Sequence, residues 1–212
     1  ALVHLDLSYN EIGDAGAKML AEVLRECSAL AHLNLTANDI ETEGAGRLVE
    51  VLGENRKLAR LDFSWNEMGS EGAASLGKAI AKLNLLAHLD LASNSLGDAG
   101  IGRLAEFLGE CKALAHLGLF QTGIGDDEMR KLAGALRGCK VLAHLDLGTN
   151  NFGAAGAGWL AGALAACTSL AHLDLRENQI GPEGARQLAG VLGDCRALAH
   201  LDLVTTGLGA EG

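Results

Sequence analysis

Leucine alternates with polar or small residues in a six-residue stretch, LAHLDL, at Leu86–Leu91, Leu142–Leu147, Leu170–Leu175 and Leu198–Leu203. Close variants read LVHLDL from Leu2, LAHLNL from Leu30, LARLDF from Leu58 and LAHLGL from Leu114. Strict alternation predicts a strand with one buried face. The pattern then changes period. In the repeat that starts at Leu86, Ile101, Leu104, Ala105 and Leu108 fall at helical spacing within IGRLAEFLGEC. Between strand and helix, SLGDAG carries Gly97 and Gly100 and predicts a turn. Each unit is therefore expected to be a strand, a turn and an antiparallel helix.

The leading leucines are Leu2, Leu30, Leu58, Leu86, Leu114, Leu142, Leu170 and Leu198, each 28 residues from the last with no insertion. A fixed period in this range is the signature of a stacked array. Residues 1–212 then read as one quasi-one-dimensional domain, with seven full repeats and the start of an eighth. The fold class is α/β: a solenoid with a parallel β-sheet on its concave face and α-helices on its convex face. Helices occupy about 10 Å per layer and strands about 4.8 Å, so stacking should bend the array into a horseshoe. Asn10, Asn38, Asn66, Asn94, Asn150 and Asn178 form one column just after the strands, interrupted by Thr122 and Thr206. An amide both donates and accepts, so this column is expected to satisfy buried turn backbone. The chain begins inside a strand and ends where an eighth helix is due. It reads as a segment of a longer array whose uncapped ends can stack end to end.

The pattern L-x-x-L-x-L-x-x-N, a following helix and the 28-residue period together resemble leucine-rich repeats. The helix length and the turns IGDAGA and IGPEGA are similar to the ribonuclease-inhibitor subclass, which includes the repeat regions of nucleotide-binding immune receptors and a small-GTPase-activating protein. The resemblance implies a protein–protein interaction scaffold without enzymatic activity. It leaves two alternatives open, a regulator of an enzyme (inhibitor or GTPase-activating type) and the ligand-sensing region of a larger immune-type receptor. No catalytic residue and no cofactor are expected, since no P-loop, nucleotide glycine fingerprint or nucleophile elbow occurs.

Composition narrows the partner. The net charge of −10 argues against nucleic acid, which requires a basic footprint. No apolar run approaches membrane-spanning length. Five cysteines without tight spacing argue against a disulfide framework and for a reducing, cytoplasmic setting. Cys-x4-His occurs five times, from Cys27/His32 to Cys195/His200, but the cysteines are expected beneath the sheet as small fillers, facing away from the histidines.

By alternation His88, His116, His144 and His172, with Asp90, Asp146 and Asp174, should form a polar ladder on the concave face. Three readings of it stay open: residues copied with the repeat, an acidic floor for a basic or polar partner, or metal ligands. In-register strands give a ladder rather than a converging set, so no metal site is expected. Such coupled histidines should titrate broadly and make the sheet less negative between about pH 7 and 5. The varying columns nominate the partner contacts: Tyr9, Arg60, Trp65, Phe120, Gln121, Arg176 and Glu177. The fifth repeat departs most, with Gly118, Thr122 and Glu128. Phe120 and Gln121, beside the gap expected at Gly118, mark the binding centre. Trp159 is expected on an exposed helical flank.

Overall fold

The computed structural model describes residues 1–210 and 212. Among them, eight strands alternate with seven helices. The strands are β1 His4–Asp6, β2 His32–Asn34, β3 Arg60–Asp62, β4 His88–Asp90, β5 His116–Gly118, β6 His144–Asp146, β7 His172–Asp174 and β8 His200–Asp202. The helices are α1 Gly13–Leu24, α2 Thr42–Leu52, α3 Gly69–Ile80, α4 Gly97–Leu108, α5 Asp126–Leu136, α6 Ala154–Leu164 and α7 Gly181–Leu192. The strands form one open sheet in sequence order, all parallel. Register follows the 28-residue period without slip: His88 pairs His116, Leu89 pairs Leu117 and Asp90 pairs Gly118.

Each strand is only three residues long, shorter than the alternating stretch suggests. The parallel ladder nonetheless continues on both sides, through Ala87 N–H to Ala59 O (2.8 Å) and Leu91 N–H to Gly118 O (2.9 Å). The central leucines, such as Leu61, Leu89 and Leu117, are fully buried, as are Leu35, Leu91 and Leu119 after them. Helix leucines Leu48, Leu76, Leu104, Leu132 and Leu160 complete the core from the other side. Each helix packs against the helices before and after it. Short glycine-containing helices gain their stability from that packing.

The helices start earlier than the glycine pattern predicts. Gly97 and Gly100 lie inside α4 rather than in a preceding turn. Gly97 takes a left-handed φ of +64°, which glycine adopts without a Cβ clash. Gly100 faces α3 so closely that a Cβ would stand 2.9 Å from Ser70 Cα. The small residues there allow helices to approach one another.

The asparagine column behaves as the sequence predicts. Asn66 Nδ2 donates to Leu35 O (2.9 Å), Phe63 O (3.1 Å) and Ser64 O (3.0 Å). Its Oδ1 accepts from Asn38 N (3.2 Å) and Ile40 N (3.0 Å) of the preceding repeat. Thr122 interrupts the column, and Leu96 N–H, which would meet an amide oxygen at 122, bonds Asn94 O instead (2.9 Å).

Candidate functional site

The open face of the sheet carries the His and Asp columns, as alternation requires. The aspartates do more than solvate it. Asp90 Oδ1 accepts Ala92 N–H (2.9 Å), Asp146 Oδ1 accepts Gly148 N–H (2.9 Å) and Asp174 Oδ1 accepts Arg176 N–H (3.0 Å). Each closes the turn that ends its strand, a local side-chain bond typical of aspartate.

The histidines do not form an even ladder. His88 and His116 stack face to face at 4.0 Å and 14°, and His144 and His172 stack at 4.4 Å and 10°. Between these pairs, His116 and His144 lie 5.7 Å apart and tilted. His88 and His116 are half-buried, while His144 and His172 are exposed. Burial pushes the His88 imidazole down to about 4, with the charges of His116 and Arg60 adding to it. Burial and His144 also lower His116. Asp90 is pushed up to about 6 by burial, against its bond from Ala92. Acidification toward pH 5 therefore leaves the imidazole of His88 neutral and neutralises Asp90 first, so at His88 the loss of negative charge expected between pH 7 and 5 comes from the carboxylate and not from the imidazole.

Gly118 shapes this region. A Cβ at residue 118 would fall on the Asp90 carboxylate, which occupies the space a side chain there would take. The gap expected beside Phe120 is thus filled from β4. Phe120 leans toward Gly148 instead, where a Cβ would stand 3.0 Å from its Cδ2 and 3.1 Å from Arg176 Cγ. The Arg176 guanidinium lies 5.1 Å from the centre of the Phe120 ring, and its Nε is 3.3 Å from Asp174 Oδ2. Phe120, Arg176 and Asp174 form one cluster over Gly148.

Of the remaining nominated residues, all but Arg60 lie along the rim that follows the strands. Tyr9, Trp65, Gln121 and Glu177 share a column whose members all have φ between +51° and +59°. Sequence reasoning missed this conformation, because only glycine or asparagine would have signalled it. Tyr9 is 77% exposed and Trp65 58% exposed. Trp65 lines a shallow groove with Asp39, Glu67, Ser93, Ser95 and Gln121. Gln121 Oε1 accepts Ser93 Oγ–H (3.3 Å), and Glu177 Oε2 accepts Thr149 Oγ1–H (3.2 Å). Arg60 stands exposed on β3 in the histidine column, two repeats after Tyr9. Trp159 is 49% exposed on α6.

The cysteines lie away from this face. Cys111, Cys139 and Cys167 are buried and all five are free. Cys139 Sγ–H donates to Leu108 O (3.4 Å) and Cys167 Sγ–H to Leu136 O (3.6 Å). Burial pushes the thiols of Cys111 and Cys139 up to about 12 and about 11. They are apolar fillers with weak donor bonds.

A family model described as Leucine Rich repeat matches residues 2–21, 26–49, 54–77, 82–105 and 166–189, more than half of the chain. The chain belongs to the leucine-rich repeat family. Among its leucine-rich repeats, the stretch left unmatched between 105 and 166 contains Gly118, Phe120 and Thr122, the departures described above. No curated protein matches the sequence. Among solved structures, it is similar to one titled Leiomodin-1 Actin-Binding Site 2, at 18% identity over 55% of this chain and 69% of that one, with a TM-score of 0.51. It is also similar to a Caenorhabditis elegans tropomodulin C-terminal domain, at 15% identity over 63% and 81%, with a TM-score of 0.54. At these identities the likeness concerns the fold alone.

Proposed function

We propose that the chain is a protein-interaction scaffold whose open sheet face and following rim hold a basic segment of a partner protein. The observation that carries this reading is the partition of charge. Of 17 Lys and Arg residues, two, Arg60 and Arg176, lie on the strands or the turns just after them; the rest lie in helices or in the connections that lead from helix to strand. Asp6, Asp62, Asp90, Asp146, Asp174 and Asp202 occupy the strands, and Glu11, Asp39, Glu41, Glu67 and Glu177 the rim. Aromatic residues supply anchors on the same side: exposed Tyr9 and Trp65 on the rim, and half-buried Phe120 beside Arg176. Aromatic and arginine side chains are the usual anchors of protein interfaces.

The 28-residue period with a full helix in each of the seven complete repeats supports placement near the ribonuclease-inhibitor subclass and a horseshoe curvature. Five free thiols support a reducing, cytoplasmic setting. Described residues contain no helix long and apolar enough to cross a membrane. One structural neighbour's title names an actin-binding site; actin is the first protein partner to try, alongside basic peptides.

An array of peptides of graded charge, probed with the purified chain, tests the reading. Lysine- and arginine-rich peptides should be retained over neutral and acidic ones. Phe120→Ala and Trp65→Ala should each weaken the best binder by about 2 kcal/mol if these are hot spots, with the circular dichroism spectrum unchanged. Retention of acidic peptides, or normal affinity in both variants, moves the site elsewhere.

A further inference from the structure

A regular ladder of in-register strands sets His against His and Asp against Asp, so different donor types do not converge. At one place they do. A ring nitrogen of His88, one of His116 and a carboxylate oxygen of Asp90 lie within 4.8 Å of one another, the one such His, Cys, Asp or Glu group among the described residues. The cause is the single glycine in the aspartate column. With no side chain at Gly118, the Asp90 carboxylate takes the vacant space on β5, the strand that also carries His116. The two imidazoles already lie against each other, with centroids 4.0 Å apart.

We propose that His88, Asp90 and His116 form a binding site for a divalent transition metal of the zinc class. Two imidazole nitrogens and one carboxylate oxygen suit zinc, cobalt, nickel or copper, whereas calcium and magnesium prefer all-oxygen shells. With no donor pair more than 4.8 Å apart, some point lies within about 2.8 Å of all three, against about 2.0–2.2 Å for zinc bonds. Closing that gap requires small side-chain shifts. It also requires one imidazole to swing about its Cβ–Cγ bond, because stacked rings do not aim their in-plane lone pairs at one point. Both rings are half-buried side chains of the open face. The fourth position faces outward and takes water or a donor from a docked protein. Arg60, paired with His88 across the β3–β4 ladder, is a nearby positive charge that lowers the affinity.

The site is independent of the scaffold reading, and its test needs no protein partner. The full chain, stripped with chelator, is titrated calorimetrically with zinc chloride and, separately, magnesium chloride. We expect one zinc per chain with micromolar affinity and no magnesium binding. His88→Ala and His116→Ala should each weaken zinc binding roughly tenfold or more. Gly118→Ala, whose methyl displaces the Asp90 carboxylate, should weaken it severalfold, and Arg60→Gln should strengthen it. His172→Ala, in the other stacked pair, should leave it unchanged. Circular dichroism confirms that each variant is folded, and His116→Gln stands in if His116→Ala is not. Cobalt substitution should give d–d bands without a thiolate charge-transfer band. Absence of saturable zinc binding, equal binding of magnesium, binding indifferent to both histidine variants, or a thiolate band would each overturn the proposal.

Discussion

Asn94 makes all its side-chain bonds within its own repeat and the one before. Its Nδ2 donates to Phe63 O, Leu91 O and Ala92 O, and its Oδ1 accepts Met68 N–H (3.1 Å). Thr122 in the next repeat therefore spares these bonds. Asn94→Ala strands buried carbonyls and should cost about 1–3 kcal/mol; an unchanged denaturation midpoint would count against the ladder. Asn178→Ala should cost less, because Asn178 Oδ1 already lacks a partner among the described residues. Thr122→Asn should raise stability by about 1 kcal/mol, since it returns an acceptor to Leu96 N–H. Asp90 supplies a test of sign. Its carboxyl rises from 3.8 to about 6 through burial, so its contribution to stability is full below the unfolded value near 3.8 and is lost as pH rises through 6. Asp90→Asn keeps an acceptor for Ala92 N–H and removes the ionisation. With chelator present, it should raise the denaturation midpoint at about pH 7 and leave it unchanged at about pH 3.5. His88 works in the opposite direction: lowered from 6.5 to about 4, its contribution is full above 6.5 and lost as pH falls toward 4. The Asn variant should therefore lose stability across that window more steeply than the parent, and equal pH profiles would contradict the assignment of these two groups.

Between neighbouring helices, glycine has two meanings that sequence does not separate. Gly100 in α4 stands against the α3 backbone, with a Cβ only 2.9 Å from Ser70 Cα and 3.0 Å from Ala73 Cβ. A methyl there meets backbone that cannot turn aside, and overpacking of this kind costs about 1–3 kcal/mol. Against it stands a helix-propensity gain of about 1 kcal/mol. Gly100→Ala is therefore expected to lower stability. Gly134, exposed in α5 with nothing within 4 Å of its Cβ position, should gain about 0.5–1 kcal/mol as alanine. Chemical denaturation of both variants checks the pair, and a gain at Gly100 would show that the helices can separate. Strand order and register were legible because a 28-residue period without insertion aligns only like positions, such as Leu89 with Leu117. The helix starts were not, because Gly97 and Gly100 look alike in sequence while one turns the backbone and the other admits a neighbour. Nor was the role of Asp14, whose Oδ1 accepts Glu41 and Gly44 N–H (both 2.9 Å) and so caps the next helix rather than its own. The His and Asp columns were legible as open-face residues because side chains alternate along a strand. The left-handed column of Tyr9 and Trp65, and the turn of Asp90 into the space at Gly118, depend on backbone angles and a missing Cβ that alternation does not encode.

Across the whole molecule, charge is sorted by side. Helices and their outgoing connections carry mutually paired ions such as Arg47 with Glu22 and Glu50 (2.7 Å each). On the rim, the carboxylates of Glu11, Asp39, Glu41 and Glu67 form no ion pair among the described residues. A net charge of −10 arranged this way gives one face a negative potential that extends into solvent. Screening shortens its reach from about 10 Å at 0.1 M salt to about 3 Å at 1 M. A basic segment should therefore associate more slowly as salt rises, with the association rate falling at least about tenfold over that range. Dissociation should respond less, because it reports on buried contacts rather than on long-range steering. Phe120→Ala should show the reverse, a faster dissociation with little change in association. Surface-based kinetics at three salt concentrations, on the parent and on Phe120→Ala, separate the two contributions. Association indifferent to salt would mean that the acidic face does not steer the partner and that the anchors alone account for recognition.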